Sequence, residues 1–127
     1  MLDVIKPGKH ISDVFTLGCD SYTRNGLQNE WKNHHQGGLT GYMAREIRAD
    51  HTTMQPITTH QANAFSPSMQ GAKCEDTVLT TENGLIFLAA PSVEWPCVQL
   101  SSYRRPGIIR SSAGVFKSAT THCENIV

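Results

Sequence analysis

The stretch His34-His35-Gln36-Gly37-Gly38-Leu39-Thr40-Gly41-Tyr42 decides the reading of this chain. Two adjacent imidazoles suit Zn, Mn or Co, and paired glycines let backbone approach a ligand closely. Neighbouring side chains on a strand point to opposite faces, so His34 and His35 can share one metal only from a loop. Read alone, the pair also fits two polar loop histidines. Just downstream, Arg45-Glu46 reads either as a fixed ion pair beside a cleft or as an ordinary solvated pair, and exposed pairs are worth little.

Upstream of that stretch, Lys6-Pro7-Gly8 ends a short apolar start, and Ser12 stands in an N-cap position before Val14, Phe15, Leu17, Gly18 and Tyr22. One helix is predicted there, with Asn25-Gly26 as its left-handed stop. Polar residues from Gln28 to Asn33 then lead into the glycine-rich stretch, expected as a loop or irregular strand. Downstream, Ala72 to Leu88 alternates as two strands, Val78-Leu79 in one and Leu85 to Leu88 in the other, around a turn at Glu82-Asn83-Gly84. Glu75-Asp76 opens this hairpin, and alternation points one carboxylate inward and the other outward. An inward carboxylate can ligate a metal or accept a proton, whereas a strand-edge charge keeps a sheet soluble. His51 and His60 share no ligand spacing and read as surface residues. Beyond Trp95-Pro96 come Val98, Leu100 and Ile108-Ile109 around a turn at Pro106-Gly107, then a Ser/Thr/Ala-rich end expected to be a loosely held tail.

Size and composition bound the rest. A chain of 127 residues has room for one small core. Eleven basic against eleven acidic residues leave no footprint for nucleic acid or an anionic membrane. No apolar run approaches a spanning helix and the start lacks an apolar signal segment, so a soluble cytoplasmic protein is expected. Cys19, Cys74, Cys97 and Cys123 are scattered without a C-x-x-C pair and read as thiols rather than a zinc knuckle or a disulfide framework.

The order of the pieces carries a resemblance. Pro7-Gly8 before a helix, Glu30-Trp31, His34 to Tyr42, Arg45-Glu46, Ser66-Pro67, Gly71, Lys73, Glu75-Asp76-Thr77 and Trp95-Pro96 fall in the register of the pita-bread metallopeptidases, the family of aminopeptidase P, prolidase and creatinase. The chain resembles most the Xaa-Pro-peptidase-like branch, over residues 1–110, with 111–127 as a tail. The resemblance implies an α+β fold, the C-terminal half of a pita-bread fold, with a curved, mostly antiparallel sheet backed by helices.

In active members of that family, two Asp, one His and two Glu hold two divalent metals around a hydroxide that attacks the amide. The two Asp come from strands upstream of the Pro-Gly segment, where this chain begins, so both are expected to be absent. The family's His-Gly-x-Gly-His-x-x-Gly motif lies over His34 to Gly41, with His34 on the first His and Gly38 on the metal-binding one. A further family His falls on Arg45, and the Glu of Glu-Pro-Gly falls on Ser66. Glu75 alone matches a metal ligand, so Mn, Co or Zn is implied by the family but not by the retained residues. Creatinase supplies a metal-free precedent, in which His34 would be the acid/base, Arg45 would hold a substrate carboxylate and Glu75 would orient one of them, with His35, Gly37, Gly38 and Tyr42 as substrate contacts.

Three functional classes follow. The first is a hydrolase of Xaa-Pro or related amide bonds with an incomplete metal site, and the second a non-catalytic binding module for a peptide or small molecule. The third is a remnant, or a subunit that supports a separate N-terminal half. A half-sheet leaves an edge and an apolar face in water, so a homodimer or association with the missing half is expected.

Overall fold

The computed structural model describes residues 1–89, 94–100, 103–106, 108–112 and 115–119. The chain divides into two compact units, Met1–Ala89 and Ala90–Val127. It is α+β, and every strand pairing is antiparallel.

In the first unit, α1 (Ile11–Arg24) buries Ile11, Val14, Phe15, Cys19 and Tyr22 along one stripe. Full burial of such an aliphatic or aromatic side chain is worth about 1.5–3 kcal/mol, so packing rather than propensity holds the helix. Its N-cap is His10, two residues earlier than Ser12. The reason lies across the chain: the segment from Thr53 to Ile57 runs beside the helix start, and Gln55 O and Thr53 O accept the amides of Ile11 and Ser12 at 3.1 and 3.0 Å. The Asp13 carboxylate accepts the His10 amide at 2.8 Å, closing the turn without a serine cap. The helix ends at the expected place. Gly26 has φ +75°, and the amides of Gly26 and Leu27 donate back to Thr23 O and Tyr22 O at 3.1 and 2.9 Å, a Schellman closure.

Five strands form the sheet of this unit: β1 (Gly37–Leu39), β2 (Ile47–Arg48), β3 (Ala62–Phe65), β6 (Asp76–Thr81) and β7 (Gly84–Phe87), in the order β2-β1-β3-β6-β7. Ala64, Phe65, Val78 and Thr80 are buried. A separate short hairpin joins β4 (Ser68–Met69) to β5 (Ala72–Lys73). The β6–β7 hairpin matches the sequence reading in place but not in detail. Thr81 pairs with Gly84, so the two-residue loop is Glu82-Asn83. His60 is the one non-glycine with positive φ among the described residues, so Glu82 and Asn83 stay in the ordinary region and Gly84, at φ +119°, takes up the twist just after the turn.

In the second unit, β8 (Cys97–Leu100) pairs with β9 (Tyr103–Pro106), and buried Val98 stands opposite buried Arg105. β10 (Ile108–Ser112) pairs with β11 (Val115–Ala119), so part of the segment expected as a tail from Ser111 is a hairpin. Gly107 of the expected Pro106-Gly107 turn, residues 120–127 and Cys123 lie outside the described residues. Cys19, Cys74 and Cys97 form no disulfide. Among the described residues no helix is long and apolar enough to cross a membrane.

Candidate functional site

A short 3-10 turn, Glu30–Asn33, delivers His34 and His35 into a loop ahead of β1. The loop condition for two neighbouring imidazoles to share one side is met: their rings lie 4.3 Å apart, tilted by 32°. Gln36, fully buried behind them, fixes the loop. Its Nε2 donates to His34 O at 2.7 Å and Trp31 O at 3.0 Å, and its amide oxygen faces the Tyr22 hydroxyl at 2.8 Å. From the other side, the Ser66 amide donates to Gln36 O at 3.0 Å. Ser66 is completely buried under this loop.

Gly37 and Gly38 have a local physical reason of their own. At φ +123° and +141° they lie in the region that favours glycine. A Cβ on Gly37 would stand 2.2 Å from Ala64 O, and one on Gly38 would stand 2.0 Å from Ile47 O, so the close pairing of β1 with β3 and β2 requires both glycines. Tyr42, at the tip of the loop joining β1 to β2, is fully exposed.

Arg45 leaves the same loop and finds Glu75 rather than its neighbour Glu46. Its Nη2 donates to Glu75 Oε1 at 2.8 Å and its Nη1 to Ala44 O, while Nε is buried without a partner. Glu46 turns back to accept the Met43 amide at 3.1 Å, closing the loop. The second oxygen of Glu75 lies 2.8 Å from Lys73 Nζ. The Arg45 side chain is 12% exposed, against 40% for Glu75 and 47% for Lys73, so the pair is anchored at one end and open to solvent at the other. Hydrogen bonds from Lys73 and then Arg45 hold the Glu75 carboxyl below the usual range. Partial desolvation, followed by the charges of His34, Arg45, Arg48 and Lys73, pushes the His35 imidazole down. Arg45 and Lys73 thus hold a single carboxylate between them, and the same two cations, with Arg48, act on His35.

His34 also lines a cleft of about 330 Å³ with Glu30, Asn33, Ser68, Met69 and Gln70. The cleft and the charged cluster adjoin through two links, since His34 stacks against His35 and Ser68 is paired in register with Lys73. The His34 Nδ1 atom is buried without a partner.

Sequence reasoning brought together His34, His35, Arg45 and Glu75, and missed Lys73, Arg48, Tyr22 and the cleft residues as parts of a site. Lys73 carried a usable signal, lying two residues from Glu75 in an extended segment, which puts both on one side. Tyr22 carried none, because its spacing is that of a core residue on the helix stripe. His51 and His60 are exposed as expected, although the His51 ring also meets Phe15 edge to face at 4.8 Å.

The site does not fit the two-metal centre implied by the resemblance. Among the described residues no three His, Cys, Asp or Glu side chains converge to hold a metal ion, and both oxygens of Glu75 are taken by cations. Comparison of the chain with protein-family models, with curated proteins and with solved structures returned no match.

Proposed function

We propose that this chain is a binding module that takes a peptide or small molecule through a carboxylate, without turning it over. The observation that carries the reading is that Arg45 and Lys73 both hold the single carboxylate of Glu75, two cations on one anion, next to a histidine pair of which His34 lines a cleft. Arg45 is suited to a carboxylate because its planar guanidinium presents several donors and its side chain is largely buried and held in place. The sequence resemblance to the pita-bread peptidases supports a peptide-like ligand, and a derivative of half that fold is the architecture proposed with it.

The hydrolase reading has one observation in its favour. Glu75 touches Arg45 at 2.8 Å, as required if it orients the arginine for a substrate carboxylate while His34 moves the proton. Release of proline from Gly-Pro by the chain, measured with and without added Mn, separates the two. Thermal stabilisation by Gly-Pro with no proline released is the outcome of the binding reading. Proline release that His34→Ala abolishes would replace it with the hydrolase reading.

A homodimer of a cytoplasmic chain is proposed alongside. β7 is an edge of the five-stranded sheet and exposes Ile86 and, just past its end, Leu88, a surface that pairing with a second copy would cover.

A further inference from the structure

We propose that Glu75 is a built-in occupant of the anion site, a carboxylate of the protein itself that an incoming ligand carboxylate displaces. This inference rests on the binding reading above and adds how the site is kept closed. The geometry is that of a bound ligand. One oxygen of Glu75 sits on Arg45 Nη2 and the other on Lys73 Nζ, both at 2.8 Å, so the two cations are spaced for a single carboxylate. The cations come from different parts of the fold, Arg45 from the loop between β1 and β2 and Lys73 from β5. Glu75 lies in the short stretch between β5 and β6. The carboxylate can therefore leave without unpairing a strand.

Three features make exchange feasible. Glu75 and Lys73 are substantially exposed, so a ligand reaches the contact from solvent and the contact itself is worth little. Arg45 is not: its side chain is largely buried and anchored to Ala44 O, so it stays in position when Glu75 moves away. Beyond the pair, His35 lies within the field of Arg45, Arg48 and Lys73, and the surplus of positive charge means that a second carboxylate entering the cluster is attracted before the first has left. A carboxylate that only oriented Arg45 would need no second cation on its other oxygen.

The ligand class is a monocarboxylate, from a peptide C-terminus or an acidic side chain. Calorimetric titration of Gly-Pro and of N-acetyl-glutamate α-amide into wild type and Glu75→Gln distinguishes the two sources. Glu75→Gln keeps the shape and removes the charge, and the expected result is binding at least tenfold tighter than wild type, lost again when Arg45→Met is added. Tighter binding of Gly-Pro alone assigns the terminal carboxylate, and tighter binding of the glutamate derivative alone assigns a side chain. Equal or weaker binding by Glu75→Gln overturns the inference while leaving the binding reading intact; absence of binding by both proteins overturns both. Should Glu75→Gln fail to fold, Glu75→Asp serves instead: one methylene shorter, it cannot span both cations, and about threefold tighter binding is expected, with equal or weaker binding as the contrary result.

Discussion

The Tyr22 hydroxyl, near the end of α1, lies 2.8 Å from the amide oxygen of Gln36, two residues past His34. The same hydroxyl lies 2.7 Å from Ser68 O and accepts the Ser68 amide at 2.6 Å. One buried oxygen therefore ties the helix, the histidine loop and the wall of the cleft together, and burial pushes its phenol pKa up. Tyr22→Phe leaves the Gln36 oxygen and the Ser68 amide without this partner. The expected loss is about 1–3 kcal/mol in urea unfolding, with faster amide exchange in residues 34–36.

Gly37 and Gly38 are expected to tolerate no side chain. Alanine at either would drive a Cβ into a backbone oxygen, at a cost on the order of 3 kcal/mol or more. Gly71, at φ +86° with open space around its Cβ direction, provides the contrast: Gly71→Ala costs only about 1 kcal/mol. Denaturant midpoints of the three variants check the order, and an equal loss in all three would contradict the close approach of β1 to its neighbours.

Glu75 and His35 both contribute to the acid limb of the stability curve, alongside Asp50, whose carboxyl is held low by hydrogen bonds from Thr52 and Thr53. The folded pKa of Glu75 is depressed, so its contribution is present above the unfolded value near 4.5 and is lost as pH falls through the lower folded value. His35 is also depressed. Its imidazole resists protonation in the fold, so stability is full above the ordinary value of 6.5 and declines as pH falls from there through the lowered one. Thermal melts between pH 7 and 3 are expected to show a shallower fall for His35→Gln between pH 6.5 and 5, and for Glu75→Gln below pH 4.5. Unchanged profiles would place both groups outside the charged cluster.

The native mass of the purified chain is expected to be that of two copies, from the edge at β7. Glu in place of Ile86 should shift it to one copy without unfolding the sheet, because Ile86 is exposed. A single-copy mass for the wild type contradicts the dimer.

What was legible in the sequence were the features fixed by local chemistry. Asn25-Gly26 stops a helix because only the residue after the cap needs positive φ, and the alternation from Val78 to Leu88 reports a sheet with two faces. The helix start was displaced from Ser12 to His10 because its acceptors come from Thr53 and Gln55, some forty residues away in sequence, which no local pattern reveals. The local sequence offers Arg45 only Glu46 or solvent, and Glu75 comes beside it only through the family resemblance, because the folding that brings the two within 2.8 Å is a tertiary fact. The histidine pair was legible as a loop site, while the cations that lower the pKa of His35 come from β2, β5 and the loop before β2.

Calorimetric titration of Gly-Pro against its C-terminal amide, with wild type and Arg45→Met, tests carboxylate recognition at this cluster most directly. Binding of the acid, at least tenfold weaker binding of the amide, and loss of that preference in Arg45→Met are predicted. Equal affinity for acid and amide, or an unchanged preference in Arg45→Met, would contradict carboxylate recognition at this cluster.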